Sequence, residues 1–175
     1  MKDFKIVDNF MPKEYNKRLS DIFLERSFPW YITDRLSFTD DVAPSGDQRN
    51  WYKFSHVIYV DRQPNSNAYK EITPLIDAIA PTSLILARAF LTTYTGSKVN
   101  QGYHRDMFIE DKKLYPHIKN CVYYVNTNNG GTQFENGEFV ESVANRALFF
   151  KAQKTHAAIT ADDVYARIVI NFLYI

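Results

Sequence analysis

Apolar and polar residues recur along this chain in two rhythms, and the change of rhythm divides it. "FKIV" (4–7) reads as a short strand. "MPKEYNKRLSDIFLERS" then brings Tyr15, Leu19, Ile22 and Phe23 round at helical spacing, with Pro12 near its start. It predicts an amphipathic helix covering something flat. "HVIYV" (56–60) is a strand pattern, and Thr73-Pro74 reads as an N-cap and first helical position, opening a short helix with Ile76 and Ile79 on one face. From residue 84 the pattern is nearly all strand: "LILARAFLTTYT", "NCVYYVNT", the hairpin "TQFENGEFVES" turning at Asn136-Gly137, "RALFF" and "ARIVINFLY". Helices confined to the first half and roughly eight strands predict an α+β fold, mainly β, with N-terminal helices buttressing a β-sandwich or barrel.

The length suits one domain, 1–175, with 1–83 as helical support and lid segment and 84–175 as the core barrel. Residues 33–54 break both rhythms. They mix Pro, Gly, Asp and Ser with Trp51 and Tyr52, and are the candidate lid.

Composition narrows the class. Twelve Tyr and 13 Phe support a β-rich core. A net charge of +1 offers no general footprint for nucleic acid, so none is expected as a partner. Cys121 is the one cysteine, which excludes an intrachain disulfide and suggests a reducing compartment. The charged opening "MKDFKIVDNF" is no signal peptide, and no apolar run approaches the roughly 20 residues of a membrane span. A soluble, cytoplasmic protein without membrane partners is the expectation.

The chemistry starts in "GYHRDMF" (102–108). On an extended segment His104 and Asp106 share a face and Arg105 takes the other. The pair is either half of a metal site or an ordinary polar edge. His156, in "KTHAAI" just after an apolar strand, supplies a third donor. Two histidines and a carboxylate on a barrel rim form a facial triad with open positions, suited to non-haem Fe(II). Arg167 follows eleven residues later, sharing a strand face with Val169 and Asn171. A buried arginine needs an anion, and a dicarboxylate co-substrate would supply one.

The ordered set His104, Asp106, His156 and Arg167 resembles that of the Fe(II)/2-oxoglutarate-dependent dioxygenases, and within them the prolyl-4-hydroxylase-like group. "CVYYVNTNNGGTQF", "NRALFF" and "RIVINFLYI" are similar to that group's segments, over roughly residues 84–175. The resemblance implies a double-stranded β-helix (jelly-roll barrel). It implies Fe(II) on His104, Asp106 and His156, and 2-oxoglutarate held through its distal carboxylate by Arg167 and Tyr124. Tyr94 would stand near the metal end of the co-substrate, where a core aromatic is the other reading. Asn171 occupies a position where some relatives carry threonine, and its amide could still serve a pocket water or carboxylate. Ascorbate would maintain the metal. The implied reaction is hydroxylation of a C–H bond, of a prolyl residue in a peptide or protein. A free amino acid or other small molecule is the alternative substrate, and a non-catalytic jelly-roll binding module the alternative role.

Other classes fit less well. No HExxH helix marks a zinc hydrolase. Asp106 fills the place a halogenase leaves for halide. Leu173 stands where nucleic-acid demethylases resemble one another in a second arginine. His56 and His117 read as structural or surface histidines, and Cys121 as a small apolar residue. Arg49, Trp51 and Tyr52 are candidates to grip a substrate chain, although Trp51 equally suits the start of the next strand.

Overall fold

Alternation is the organising feature of the fold. The computed structural model describes residues 3–33, 52–106 and 117–175. In chain order these residues form β1 (Phe4–Val7), α1 (Lys13–Leu24), β2 (Tyr31–Thr33), β3 (Lys53–Val60), β4 (Gln63–Pro64), α2 (Ala68–Ile79) and β5 (Leu84–Thr93). There follow β6 (Lys119–Tyr124), β7 (Gly131–Phe134), β8 (Phe139–Glu141), β9 (Arg146–Lys151), β10 (His156–Ile159) and β11 (Ala166–Tyr174). The larger sheet runs β1-β9-β6-β11-β5-β3-β2, with β4 on β3, and the smaller runs β10-β7-β8. Every pairing is antiparallel.

β11 lies at the centre. One of its faces, Ile168, Ile170 and Phe172, joins Cys121 and Tyr123 of β6 beneath Leu19 and Phe23 of α1 and Ile72 and Leu75 of α2. The other presents Val169 beside Val122 and Tyr124, against Phe134 and Val140 of the small sheet. Helices, large sheet and small sheet therefore stack as three layers, the predicted α+β, mainly β architecture. The two helices are tied together where the Tyr15 hydroxyl donates to the Glu71 carbonyl at 2.7 Å. His56 and Cys121 are both buried: His56 bonds the Pro29 carbonyl and the Ser66 hydroxyl, and Cys121 packs in the helix-side core. No described helix is long and apolar enough to cross a membrane.

Several sequence expectations need correction. The N-terminal half contributes β1, β2 and β3 to the large sheet as well as the helices. β2 and β10 are too short for their alternation to register. The second helix does not start at Thr73-Pro74: it runs from Ala68, with Pro74 inside it and Asn67 at its N-cap. Burial of Ala68, Ile72 and Leu75 along one face outweighs the proline's missing donor, and the Thr73 hydroxyl bonds the Tyr69 carbonyl at 3.0 Å. The hairpin at Asn136-Gly137 forms, closed by a three-residue loop: the Phe134 N–H donates to the Glu138 carbonyl at 2.8 Å, and Gly137 takes φ +86°. Of the candidate lid, residues 34–51, with Arg49 and Trp51, lie outside the described residues.

Pro74 gives a test of the helix boundaries. Pro74→Ala restores an N–H toward the Lys70 carbonyl and should raise unfolding stability by about 1–3 kcal/mol in urea denaturation. A helix starting at residue 74 would instead lose a favourable first-turn proline and give a lower midpoint.

Candidate functional site

The segment between β5 and β6 runs antiparallel to β10 for a few residues, and this places the histidines. Backbone bonds join His104 and His156 in both directions, at 2.8 and 3.0 Å, and their ring centroids lie 4.6 Å apart. Each Nδ1 sits 3.0 Å from a backbone carbonyl, Gly102 for His104 and Lys154 for His156. A carbonyl only accepts, so each Nδ1 carries the hydrogen and each Nε2 lone pair is left for another partner. Both point at one carboxylate. His104 Nε2 lies 3.5 Å from Asp106 Oδ1, and His156 Nε2 lies 3.4 Å from Asp106 Oδ2. Ligand atoms of the three residues all fall within 4.8 Å of one another. Arg105 points away, its Nε bonding the Thr155 hydroxyl.

Lone pairs facing carboxylate oxygens at this range need a proton or a cation between them. Burial alone would raise the Asp106 carboxyl, yet the charge and hydrogen bonds of His156 and His104 hold it well below the usual range. Burial would lower His156, and Asp106 outweighs it to push the imidazole up. A divalent metal would replace these protons. The donor set, two imidazoles and one carboxylate, fits Fe(II). Asp106 Oδ2 is oriented from β6 and β11: the Asn120 amide donates to it, as does the Asn171 amide at 3.3 Å.

The cluster opens into a cavity of about 310 Å³ floored by the large sheet. Arg167 stands four residues along β11 from Asn171, roughly 13 Å of strand. It is 3% exposed, and its Nε donates to the Ser142 hydroxyl and its Nη2 to the Gly131 carbonyl, each at 3.0 Å. Among the described residues no carboxylate pairs with it, and burial pushes its guanidinium below the usual value. Its seat depends on two glycines. A Cβ on Gly130 would lie 3.0 Å from the Arg167 Cδ, and one on Gly131 would lie 2.3 Å from the Val140 carbonyl oxygen. Tyr124 is fully buried, its ring centroid 5.9 Å from the guanidinium carbon, and burial pushes its phenol up to about 12. The Tyr124 hydroxyl donates to the Thr132 hydroxyl at 2.7 Å.

The structure thus brings His104, Asp106, His156, Arg167 and Asn171 to one cavity, with Tyr124 behind Arg167. Tyr94 is not among the lining residues. β5 ends at Thr93, whose partner is Ala166, so Tyr94 stands beyond the Arg167 end of the sheet with its side chain 55% exposed. The polar lining residues missed in the sequence include Lys53, Arg88, Thr92 and Gln101. Asn120, which holds Asp106, was missed as well. The signal was present for three of them. Arg88 and Thr92 lie on the same alternate face of an otherwise apolar strand, and Asn120 has the parity of Tyr124.

No protein-family model and no curated protein sequence matches the chain. Solved structures do, and they define the class of fold: the double-stranded β-helix of the 2-oxoglutarate/Fe(II) oxygenases, with prolyl hydroxylases among its members. The chain matches a prolyl-4-hydroxylase of Pseudomonas putida with a TM-score of 0.63 at 14% identity, covering 98% of this chain and 91% of that one. It matches a prolyl hydroxylase of Trichoplax adhaerens, solved with a peptide fragment of the hypoxia inducible factor oxygen degradation domain, at TM-score 0.66 and 17% identity, covering 98% and 83%. A non-haem α-ketoglutarate-dependent carbocyclase of nogalamycin biosynthesis matches at TM-score 0.66 and 9% identity, covering 99% and 79%.

The metal reading predicts a graded loss. In anaerobic Fe(II) titrations His104→Ala and His156→Ala should abolish tight binding, while Asn120→Ala, which removes one of the two amides holding Asp106 Oδ2, should weaken it about 10–100-fold. Unchanged affinity in both histidine variants would remove the metal site.

Proposed function

We propose that this chain is an Fe(II)- and 2-oxoglutarate-dependent dioxygenase that hydroxylates a C–H bond, with a prolyl residue in a peptide or protein as its substrate. The observation that carries the reading is one cavity with two charge-bearing ends. At one end two Nε2 lone pairs and a carboxylate converge; at the other stands a buried arginine with no carboxylate partner among the described residues. A complete set of donors also weighs against a non-catalytic module.

In this reading His104, His156 and Asp106 hold Fe(II), and Asn120 and Asn171 fix the Asp106 carboxylate. Arg167 takes the distal carboxylate of 2-oxoglutarate. Tyr124 backs the guanidinium, and the Thr92 hydroxyl, buried and unpartnered in the row beside Arg167, supplies a further donor. Bound Fe(II) supplies the oxidation: O2, 2-oxoglutarate and substrate C–H become C–OH, succinate and CO2. Val122 and Val169 line the floor and exclude water from the space between the two ends. Ascorbate belongs to the reading as the reductant that maintains Fe(II), and the lone buried thiol of Cys121 supports a reducing, cytoplasmic setting.

The prolyl substrate is supported by the two prolyl hydroxylases of the same fold, one of them solved with a peptide. The second reading, a small molecule, is favoured by a cation in the cavity beyond those the co-substrate needs: Arg88.

Succinate release tests the activity, with mass spectrometry on proline peptides for the gain of one oxygen. Arg167→Leu should weaken 2-oxoglutarate binding by about 2–5 kcal/mol, since it leaves a carboxylate unpaired in a dry site. Tyr124→Phe should cost less, about 0.5–1.5 kcal/mol. Normal 2-oxoglutarate affinity in folded Arg167→Leu would overturn the assignment.

A further inference from the structure

Arg88 sits in the middle of β5, where the register pairs it with Asn171 of β11 and Val57 of β3. Asn171 bonds Asp106, so Arg88 occupies the row of the large sheet beside the metal cluster. Arg167 belongs to a different row, paired with Thr92 two alternate positions further along β5. Two arginines therefore stand toward opposite ends of one cavity, and a single distal carboxylate engages only one of them.

Among the described residues Asp106 is the anion that acts on Arg88, and no carboxylate forms an ion pair with it. The Arg88 Nε is buried with no hydrogen-bond partner. Its guanidinium carbon lies 4.4 Å from the centroid of the Phe90 ring, and the Lys53 Nζ lies at 4.4 Å from the same ring. The one carboxylate lining the cavity among the described residues, Asp106, is already engaged by His104, His156, Asn120 and Asn171. Burial pushes Arg88 below its ordinary value, and burial followed by the charge of Arg88 pushes Lys53 down to about 8. A leucine would serve the apolar alternation of β5 without that desolvation cost. Stacking on Phe90 returns a fraction of it and leaves the Nε–H unsatisfied.

We propose that Arg88, with Lys53 beside it, forms an anion subsite for the primary substrate, so that the molecule oxidised carries a carboxylate next to the metal cluster. The inference rests on the oxygenase reading and narrows its substrate class. The carboxylate comes either from a free acid, such as an amino acid derivative, or from an acidic side chain adjoining the target residue of a peptide. The guanidinium fork recognises both through the same paired hydrogen bonds.

Calorimetry on the protein loaded with Fe(II) and 2-oxoglutarate, without oxygen, tests it with acids matched to uncharged amides. The free-acid pairs are N-acetyl-L-proline with N-acetyl-L-prolinamide and N-acetyl-L-valine with its amide. The peptide pair is acetyl-Pro-Glu-amide with acetyl-Pro-Gln-amide. In at least one pair the acid should bind roughly ten-fold or more tightly than its partner, and the pair that discriminates identifies the source of the carboxylate. Arg88→Met should erase the discrimination and Arg88→Lys retain part of it, with 2-oxoglutarate affinity unchanged in both, which also reports an intact fold. Equal binding of acid and amide in every pair would overturn the proposal, as would discrimination that survives Arg88→Met. Loss of 2-oxoglutarate binding in Arg88→Met, with Arg167→Leu unaffected, would make Arg88 a co-substrate residue and overturn it too. Failure of the unaltered protein to bind 2-oxoglutarate is a separate readout, and it would bring down the oxygenase reading together with this one.

Discussion

β11 is buried on both faces, and the rest of the molecule depends on that strand keeping its register. Its side chains alternate between an apolar layer under the helices and a mixed layer over the cavity. A slip of one residue would drive Arg167 and Asn171 into the helix-side core and turn Ile168, Ile170 and Phe172 toward the metal cluster. Both consequences are costly, so the packing of hydrocarbon under α1 and α2 fixes the position of the polar site on the opposite face. The helices reach the chemistry through the sheet without touching it.

Charge is the second constraint. Arg88 and Arg167 face a cavity in which Asp106 is the carboxylate among the described residues. On the proposed reading, a divalent metal on neutral histidines would add positive charge, and a dianionic co-substrate would remove as much as the metal brings. With Asp106 set against Arg167, the positive charge of Arg88 is left over on that reading, with Lys53 beside it. Buried charge of this kind is destabilising until an anion arrives, so the apo protein carries a cost that binding relieves. The glycine pair at 130–131 is explained by close packing: a Cβ on Gly130 would meet the Ile159 carbonyl and Arg167, and one on Gly131 the Val140 carbonyl and Phe139. Arg167 is held at a fixed depth by the Gly131 carbonyl and Ser142, because no side chain intrudes between it and the small sheet.

Much of this was legible in the sequence where a pattern repeats. The long alternations of β5, β6 and β11 disclosed the sheet, and "HRD", His156 and Arg167 disclosed the ends of the site through residue chemistry and order. What escaped has physical reasons. β10 is four residues long, and its pairing with the His104 segment is a long-range event that no local window contains. Pro74 misled because tertiary burial of Ile72 and Leu75 outranks a local cap signal. Asn120 is only the first residue of the strand pattern "NCVYYVNT" in the sequence, and its role emerges when Asp106, fourteen residues earlier, folds back against it. Arg88 was visible as a charge inside an apolar run, but its meaning required knowing which face looked into the cavity.

That last residue bears on why one fold serves unlike substrates. A prolyl hydroxylase solved with a peptide and a carbocyclase of nogalamycin biosynthesis match this chain at the same TM-score, 0.66, so the barrel itself does not select between a polypeptide and a small molecule. Selection must come from side chains that face the cavity without holding metal or co-substrate. On the proposed reading, the three donors and Arg167 are accounted for by those two tasks. Of the arginines that remain among the lining residues, Arg105 is exposed and bonds Thr155, whereas Arg88 is paired in the row of Asn171, with Lys53 over the neighbouring Phe90 ring. An internal prolyl residue with neutral neighbours presents nothing that compensates a guanidinium there. A carboxylate does, and the geometry of β5 keeps that carboxylate away from Arg167. The proposed subsite at the centre of β5 is thus the position that would discriminate among the molecules the fold admits.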